Sequence, residues 1–145
     1  YVEDPLHEEA FSDFSELSFK NKSCLIVGDD LFVSNVSILK NGIEQKAGNS
    51  AILKVNQVGS LGDAMDFANL CNQNNYGIIA SHRSGDTVDN HLAHIAIGLG
   101  ASMMKSGVVG GERIAKLNEL IRIDETNFIN NDMSLPIARI KKYVN

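Results

Sequence analysis

The feature that most constrains the fold is a repeat of short apolar runs, each followed or closed by a polar residue. These ends fall at Glu3, Asp29, Lys54, His82 and Lys105, so that successive ends are separated by 23 to 28 residues. Apolar runs without alternation are typical of strands covered on both faces, as in parallel sheets. Segments of helical periodicity lie between the runs, and this order predicts repeated strand–helix units.

The helices are identified by apolar residues that recur every three or four positions. One helix is expected to begin near Ser60, because Asp63 three residues later resembles the second half of a capping box. A weaker helix is predicted over residues 8–20. Four apolar stripes are found, the first of them in the helix that begins near Ser60. They are Leu61, Ala64, Met65, Ala68 and Cys71; Val88, Leu92, Ile95, Ala96 and Leu99; Ile114, Leu117 and Ile121; and Ile38, Leu39 and Ile43.

A strand–helix repeat of this length fits successive units of a (β/α)₈ barrel, in which catalytic residues lie at the carboxyl ends of different strands. Five strands cannot close such a barrel, so the repeat corresponds to part of one. An open doubly wound sheet is the alternative. That fold usually carries one glycine-rich phosphate loop rather than a charged residue at every strand end.

Composition excludes several classes of protein. The chain has 145 residues and no apolar run near the roughly 20 residues that cross a bilayer. Its net charge of −5 argues against nucleic acid as the main partner. Cys24 and Cys71 are isolated, which favours buried thiols in a reducing compartment such as the cytosol. Because Tyr1 opens the chain as if within a strand, we expect a fragment of a longer protein.

The strand ends together form a chemically coherent set. Glu3 and Asp29 are carboxylates of the kind that bind a hard cation such as Mg²⁺. Lys54, within an apolar run, is a candidate general base, and Arg83 with its neighbouring hydroxyls is typical of a phosphate or carboxylate clamp. A metal, a base and an anion clamp favour abstraction of a proton next to a carboxylate, with the metal stabilising the resulting enediolate.

Each of these residues also has a simpler interpretation. A carboxylate at a strand end commonly caps a helix or forms a surface ion pair. A histidine such as His82 is more often part of a core, and Lys105 could extend to solvent. The shared position of all five at strand ends favours the functional interpretation.

Four stretches closely resemble the C-terminal half of enolase. They are GDDL at residues 28–31, LKVNQVG at 53–59, SHRSGDT at 81–87 and ERIAKLN at 112–118. The resemblance covers about residues 1–125 and implies the C-terminal part, about five βα units, of an enolase-type TIM (β/α)₈ barrel. Residues 126–145 would be the C-terminal tail of the same domain, with a short helix or strand over 133–144.

The resemblance implies reversible, Mg²⁺-dependent dehydration of 2-phosphoglycerate to phosphoenolpyruvate in glycolysis and gluconeogenesis. Metal and substrate would be held by Glu3 and Asp29, and the base would be Lys54. Lys105 would contact the substrate carboxylate and stabilise the enediolate. The substrate loop would be formed by Ser81, His82, Arg83 and Ser84, the last two on the phosphate. A cytoplasmic homodimer or higher oligomer is implied for the full-length protein.

The chain also departs from the family pattern. The general-acid glutamate, the first metal aspartate and the N-terminal domain have no counterpart, so we expect the chain alone to be inactive and poorly stable. The loop after Lys105 lacks the usual arginine and serine, and His94 replaces an aspartate. A catalytically inactive relative serving as a binding or scaffold protein is therefore an alternative. A relative acting on a non-phosphorylated acid is disfavoured by Arg83 and Ser84.

Overall fold

A computed structural model describes residues 1–129 as five strands and six helices. In chain order the elements are β1 (Val2–Glu3), α1 (Phe11–Lys20), β2 (Ile26–Gly28), α2 (Val36–Gln45), β3 (Ser50–Leu53), α3 (Val55–Val58), α4 (Leu61–Gln73), β4 (Gly77–Ser81), α5 (His91–Gly98), β5 (Met103–Lys105) and α6 (Gly111–Ile129).

The strands form one sheet in the order β1-β2-β3-β4-β5, and every neighbouring pair is parallel. A doubly wound sheet would reverse its strand order at a switch point, whereas a barrel adds each strand next to the previous one. The sequential order therefore confirms the predicted fold class, part of an α/β barrel, and excludes the doubly wound alternative.

The sheet is curved towards closure. Lys105 at the end of β5 lies 2.5 Å from the Glu3 carboxylate at the end of β1. In a flat sheet these strands would be about 19 Å apart, which is more than the two side chains span together. The curvature brings the carboxyl ends of the first and last described strands around one mouth.

Two apolar layers cover the two faces of the strands. Successive residues alternate between them: Ile26 packs on the helix side with Leu39 and Phe67, whereas Val27 packs with Ile52 on the opposite face. All five of these side chains are at most 1% exposed. Burial on both faces explains why the strand sequences are continuously apolar.

Helix starts follow their capping residues. The Ser60 hydroxyl accepts a hydrogen bond from the Asp63 backbone at 3.0 Å, which confirms the start of α4 expected there. The Asn35 side chain accepts from the backbone of Ser37 and Ile38 and starts α2. The short helix α3, directly after Lys54, was not predicted.

Three predicted stripes are wrong in part. α4 buries Phe67, whereas Leu61 and Met65 are about half exposed. α5 begins only at His91, so Val88 lies outside it and is 72% exposed. The Asp89 carboxylate accepts a hydrogen bond from the His91 backbone, and this side-chain turn delays the helix.

The stripe predicted for α6 is wrong for a different reason. Ile114 and Ile121 are exposed, while Lys116 and Glu119 are buried. Glu119 pairs with His94 of α5, against which α6 packs. A polar partner, not apolar periodicity, therefore determines which face of α6 is turned inward.

The cysteines are both free thiols. Cys71 is buried, and burial raises the pKa of its thiol to about 12, whereas Cys24 is partly exposed. The suggested boundary at residue 125 falls within α6, and the predicted element over 133–144 lies outside the described residues. Among residues 1–129, no helix combines the length and apolarity needed to cross a membrane.

Candidate active site

The carboxyl ends of the five parallel strands carry the residues that the sequence singled out. Glu3, Ser81 and Lys105 are the last residues of β1, β4 and β5, and Asp29 and Lys54 directly follow β2 and β3. Because the strands are parallel and in sequential order, all five lie at one edge of the curved sheet.

The most enclosed pair in this group joins β2 and β3. Lys54 Nζ lies 2.7 Å from each carboxylate oxygen of Asp29, and the two side chains are 15% and 11% exposed. Burial raises the pKa of Asp29 despite the opposing hydrogen bond and charge of Lys54, and nearby Glu3 and Asp4 raise it further. Lys54, which the sequence places within an apolar run, therefore has a largely buried partner of opposite charge.

A second pair joins β5 and β1. Lys105 Nζ lies 2.5 Å from one Glu3 oxygen, and the Tyr1 hydroxyl donates to the other at 2.6 Å. Burial opposes ionisation of Glu3, yet the hydrogen bonds from Lys105 and Tyr1 and the charge of Lys105 outweigh it and lower the pKa of Glu3. Tyr1 was not predicted as a site residue. It stands two positions before Glu3, and alternate residues of an extended segment point to the same face.

Asp4 is the site residue that sequence reasoning missed most clearly. Its two carboxylate oxygens accept hydrogen bonds from the backbone N–H groups of Asp29 and Asp30, at 2.8 and 2.7 Å. Its φ of 41° lies in the left-handed region, which is strained and which these two bonds stabilise. Asp4 thereby ties the end of β1 to the turn after β2. The partners of Asp4 are backbone N–H groups, which leave no pattern in the sequence, so the role of Asp4 could not be predicted.

The carboxylates at this end fit a divalent cation. In the part of the chain that the structure describes, one group of acidic side chains, Asp4, Asp29 and Asp30, has ligand oxygens within 4.8 Å of one another. Glu3 is not in that group because its carboxylate is turned to Lys105, but it is close enough to act on the pKa of Asp29. Oxygen-only donors are those that Mg²⁺ prefers.

The end of β4 carries a hydroxyl and an imidazole rather than an ion pair. Ser81 is buried and its hydroxyl donates to the carbonyl of His82. His82 Nδ1 is buried without a hydrogen-bond partner in residues 1–129. Burial, then Arg113, lower the pKa of His82 against the opposing charge of Asp86, so the imidazole is neutral at physiological pH.

Arg83 and Ser84 follow and are both exposed. One Arg83 guanidinium nitrogen lies 3.5 Å from the Asn56 side-chain oxygen, across a cleft of about 300 Å³ that α3 and the start of α4 line together with Ser81 and Arg83. The structure thus pairs Asp29 with Lys54 and Glu3 with Lys105 by direct contact at one edge of the sheet, and Arg83 and Ser84 lie in the adjoining loop. This arrangement offers cations for an anionic substrate beside carboxylates for a metal.

Comparison with known proteins gives a consistent result. The family described as "Enolase, C-terminal TIM barrel domain" matches residues 1–132. A protein named enolase from Methanosphaera stadtmanae is 54% identical over 126 residues, which cover 86% of this chain and 30% of that protein. Enolase of Archaeoglobus fulgidus is 50% identical over 125 residues, with 86% and 31% covered. The chain spans about 30% of the length of these curated relatives.

Proposed function

Since the chain belongs to the enolase family, as part of its C-terminal barrel domain, we propose that its full-length protein catalyses the Mg²⁺-dependent, reversible dehydration of 2-phosphoglycerate to phosphoenolpyruvate. The observation that carries this proposal is the pairing of Lys54 with Asp29 and of Lys105 with Glu3 at one mouth. Proton abstraction next to a carboxylate needs a base and positive charge side by side, and this mouth supplies both.

Lys54 is the proposed base. Its Nζ is at the mouth, and its contact with both Asp29 oxygens orients the amine and limits its motion. The side chain is 15% exposed, so few water molecules compete with substrate for contact with Nζ. From this position Lys54, in its neutral amine form, would take the proton on the carbon next to the substrate carboxylate.

Lys105 and the loop after β4 would hold the two charged ends of the substrate. Lys105 is 44% exposed, which lets its ammonium move from Glu3 to the substrate carboxylate. Its charge would then offset the negative charge that develops on that carboxylate as the proton leaves. Arg83 and Ser84, both exposed beside the cleft, would bind the phosphate with donors suited to its oxygens.

Glu3 and Asp29 would hold Mg²⁺, with Asp4 fixing the position of Asp29 through its backbone. The four carboxylates Glu3, Asp4, Asp29 and Asp30 lie near two ammonium groups, so the mouth carries an excess of negative charge. When bound, the metal ion would supply positive charge that stabilises the ionised substrate carboxylate.

The test is made on the full-length protein with 2-phosphoglycerate. We expect formation of phosphoenolpyruvate, followed by its ultraviolet absorbance, to stop on addition of a chelator and to resume with Mg²⁺. Lys54→Met should lower kcat by about 10² to 10⁴, the usual contribution of a positioned base. The matched control is Lys40→Met, which removes an exposed lysine of α2 and should leave kcat unchanged.

A second readout isolates the proton-transfer step. In D₂O the active protein should exchange the hydrogen next to the carboxylate of 2-phosphoglycerate, and Lys54→Met should abolish this exchange. A variant rate within about tenfold of wild type would refute Lys54 as the base. Absence of both turnover and exchange in the wild-type full-length protein would favour a scaffold role. The 145-residue chain alone, which spans about 30% of the length of its relatives, is expected to be inactive and serves as a reference.

Two further proposals rest on the family alone. The full-length protein would be cytoplasmic and would assemble as a homodimer or higher oligomer. Light scattering coupled to size-exclusion chromatography measures the assembly directly, and a monomer at working concentration would contradict it.

A further inference from the structure

Lys116 of α6 is a buried lysine that the proposed reaction does not use. Its side chain is 1% exposed, and its Nζ donates to the backbone carbonyls of Thr87 at 2.7 Å and Asp89 at 2.8 Å. The nearest Asp86 carboxylate oxygen is 3.7 Å away. An ammonium has three donors, and here three oxygens of one loop surround it. Such a buried charge is costly unless it is paired in this way.

The same loop carries the residues proposed for the phosphate. The Asp86 carboxylate accepts from the backbone N–H groups of Arg83 at 3.4 Å and Thr87 at 2.9 Å. The Asp86 N–H in turn donates to the Arg83 carbonyl at 3.2 Å. Lys116 therefore reaches the backbone of Arg83 through a single intervening residue.

Apolar packing contributes little to the placement of this loop. Arg83, Ser84 and Gly85 are exposed, and apart from Gly85 and its two chain neighbours no heavy atom of residues 1–129 lies within 4 Å of the position that a Cβ on Gly85 would take. Val88 is 72% exposed. A loop without an apolar anchor is held by its polar contacts, and Lys116 makes the most buried of these.

We propose that Lys116 is a positioning residue, which holds the loop of residues 82–90 in the conformation that presents Arg83 and Ser84 to the substrate phosphate. The proposal rests on the proposed function for the identity of the ligand. The contact between Lys116 and the loop does not depend on the proposed function, so the positioning role and the identity of the ligand can be tested separately.

The experiment compares three variants of the full-length protein. Lys116→Met removes the ammonium at similar side-chain length, and Lys116→Gln keeps a neutral donor that can still reach a carbonyl. Asn118→Ala, on the exposed side of the same helix, is the matched control. Amide hydrogen exchange of residues 83–90 is measured without substrate, and KM and kcat are measured with 2-phosphoglycerate.

We expect Lys116→Met to speed exchange in the loop while leaving the strands protected. KM should rise about tenfold or more, the usual cost of removing a hydrogen-bonded charge, and kcat should change by less than about threefold. The reason is that a phosphate clamp acts equally in the ground and transition states. Lys116→Gln should show smaller shifts in the same direction, and Asn118→Ala none.

The proposal is overturned if folded Lys116→Met keeps KM within about twofold of wild type, or if KM rises without faster exchange in the loop. If Lys116→Met does not fold, the same criteria apply to Lys116→Gln. If the wild-type protein shows no turnover, the proposed function fails, and calorimetric binding of inorganic phosphate replaces KM. Unchanged phosphate affinity in the variants would then overturn the role of Lys116.

Discussion

The central region and the C-terminal region of the described chain are built in opposite ways. In β2–β4 with α2 and α4, most of the buried side chains are apolar, as at Leu39, Ile52 and Phe67, each 0% exposed, although Ser50 and Ser81 are also buried. In the segment from β5 through α6, buried positions include Lys116 and Glu119, while residues such as Val109 and Ile121 are 74% and 57% exposed.

The two regions have different structural roles. Apolar burial is non-directional and scales with area, so the central region provides stability and rigid strand ends for Asp29 and Lys54. Charge-assisted hydrogen bonds depend on direction, so the polar contacts of α6 are suited to fixing loops in one geometry. The region with the poorer apolar core therefore controls the placement of Arg83.

The two regions should differ most in how much unfolding free energy is lost when an apolar side chain is truncated. Leu39→Ala in α2 should lower the free energy of unfolding by about 2 to 5 kcal/mol, because it leaves a cavity in a closely packed layer. Ile121→Ala in α6 should change it by about 0.5 kcal/mol or less, because the side chain is exposed in the described part of the chain. Urea denaturation measures both. A loss above about 1 kcal/mol for Ile121→Ala would break the comparison and show that apolar contacts also hold α6.

A smaller effect tests how tightly the central region is packed. A Cβ on Gly42 would lie 2.3 Å from the ring of Phe32, which Phe11 and Tyr76 hold in place at centroid distances of 6.4 Å. Gly42→Ala should therefore cost about 1 to 3 kcal/mol through overpacking. The matched control is Gly62→Ala in α4, where the nearest atom is 3.8 Å away and alanine should stabilise the helix by up to about 1 kcal/mol. Thermal unfolding should show shifts of opposite sign, and equal shifts would contradict the packing argument.

The smallest expected effect is the pH dependence of the polar contacts in α6. Arg122 lowers the pKa of Glu119 from 4.5 to about 2, with burial opposing and His94 assisting. A carboxyl with a lowered pKa stabilises the fold above its ordinary pKa, and this contribution is lost as pH falls from about 4.5 towards about 2.

Melting temperatures of wild type and Glu119→Gln should therefore converge as pH falls through this interval. The exposed Glu125 on the same helix supplies the matched control, Glu125→Gln. If the wild-type and Glu119→Gln curves stay parallel, the Glu119 contacts do not contribute in the native protein. α6 would then depend on apolar contacts, as the central region does.

Much of the fold could be predicted because the relevant signals are local. Continuous apolar runs marked β2, β3 and β4, since strands covered on both faces leave no room for polar alternation. Ser60 marked the start of α4, since a cap acts within three residues of itself. The strand ends could be placed at one mouth because parallel strands share their direction.

Contacts between distant segments could not be predicted in this way. The inward face of α6 depends on Glu119 meeting His94 and on Lys116 meeting the loop of residues 82–90, and neither partner is marked by periodicity. The bonds from Asp4 go to backbone N–H groups, which every residue except proline possesses.

The sequence by itself determined the strand–helix order, the polar residue at each strand end and the family. Those properties follow from local periodicity and from motifs contiguous in the chain. Only the tertiary structure decided that Lys105 reaches Glu3, that Asp4 accepts a hydrogen bond from the Asp29 backbone and that Lys116 contacts the loop of residues 82–90. Each of these contacts joins residues at least 25 positions apart, and sheet curvature and helix packing, not local propensity, bring such residues together.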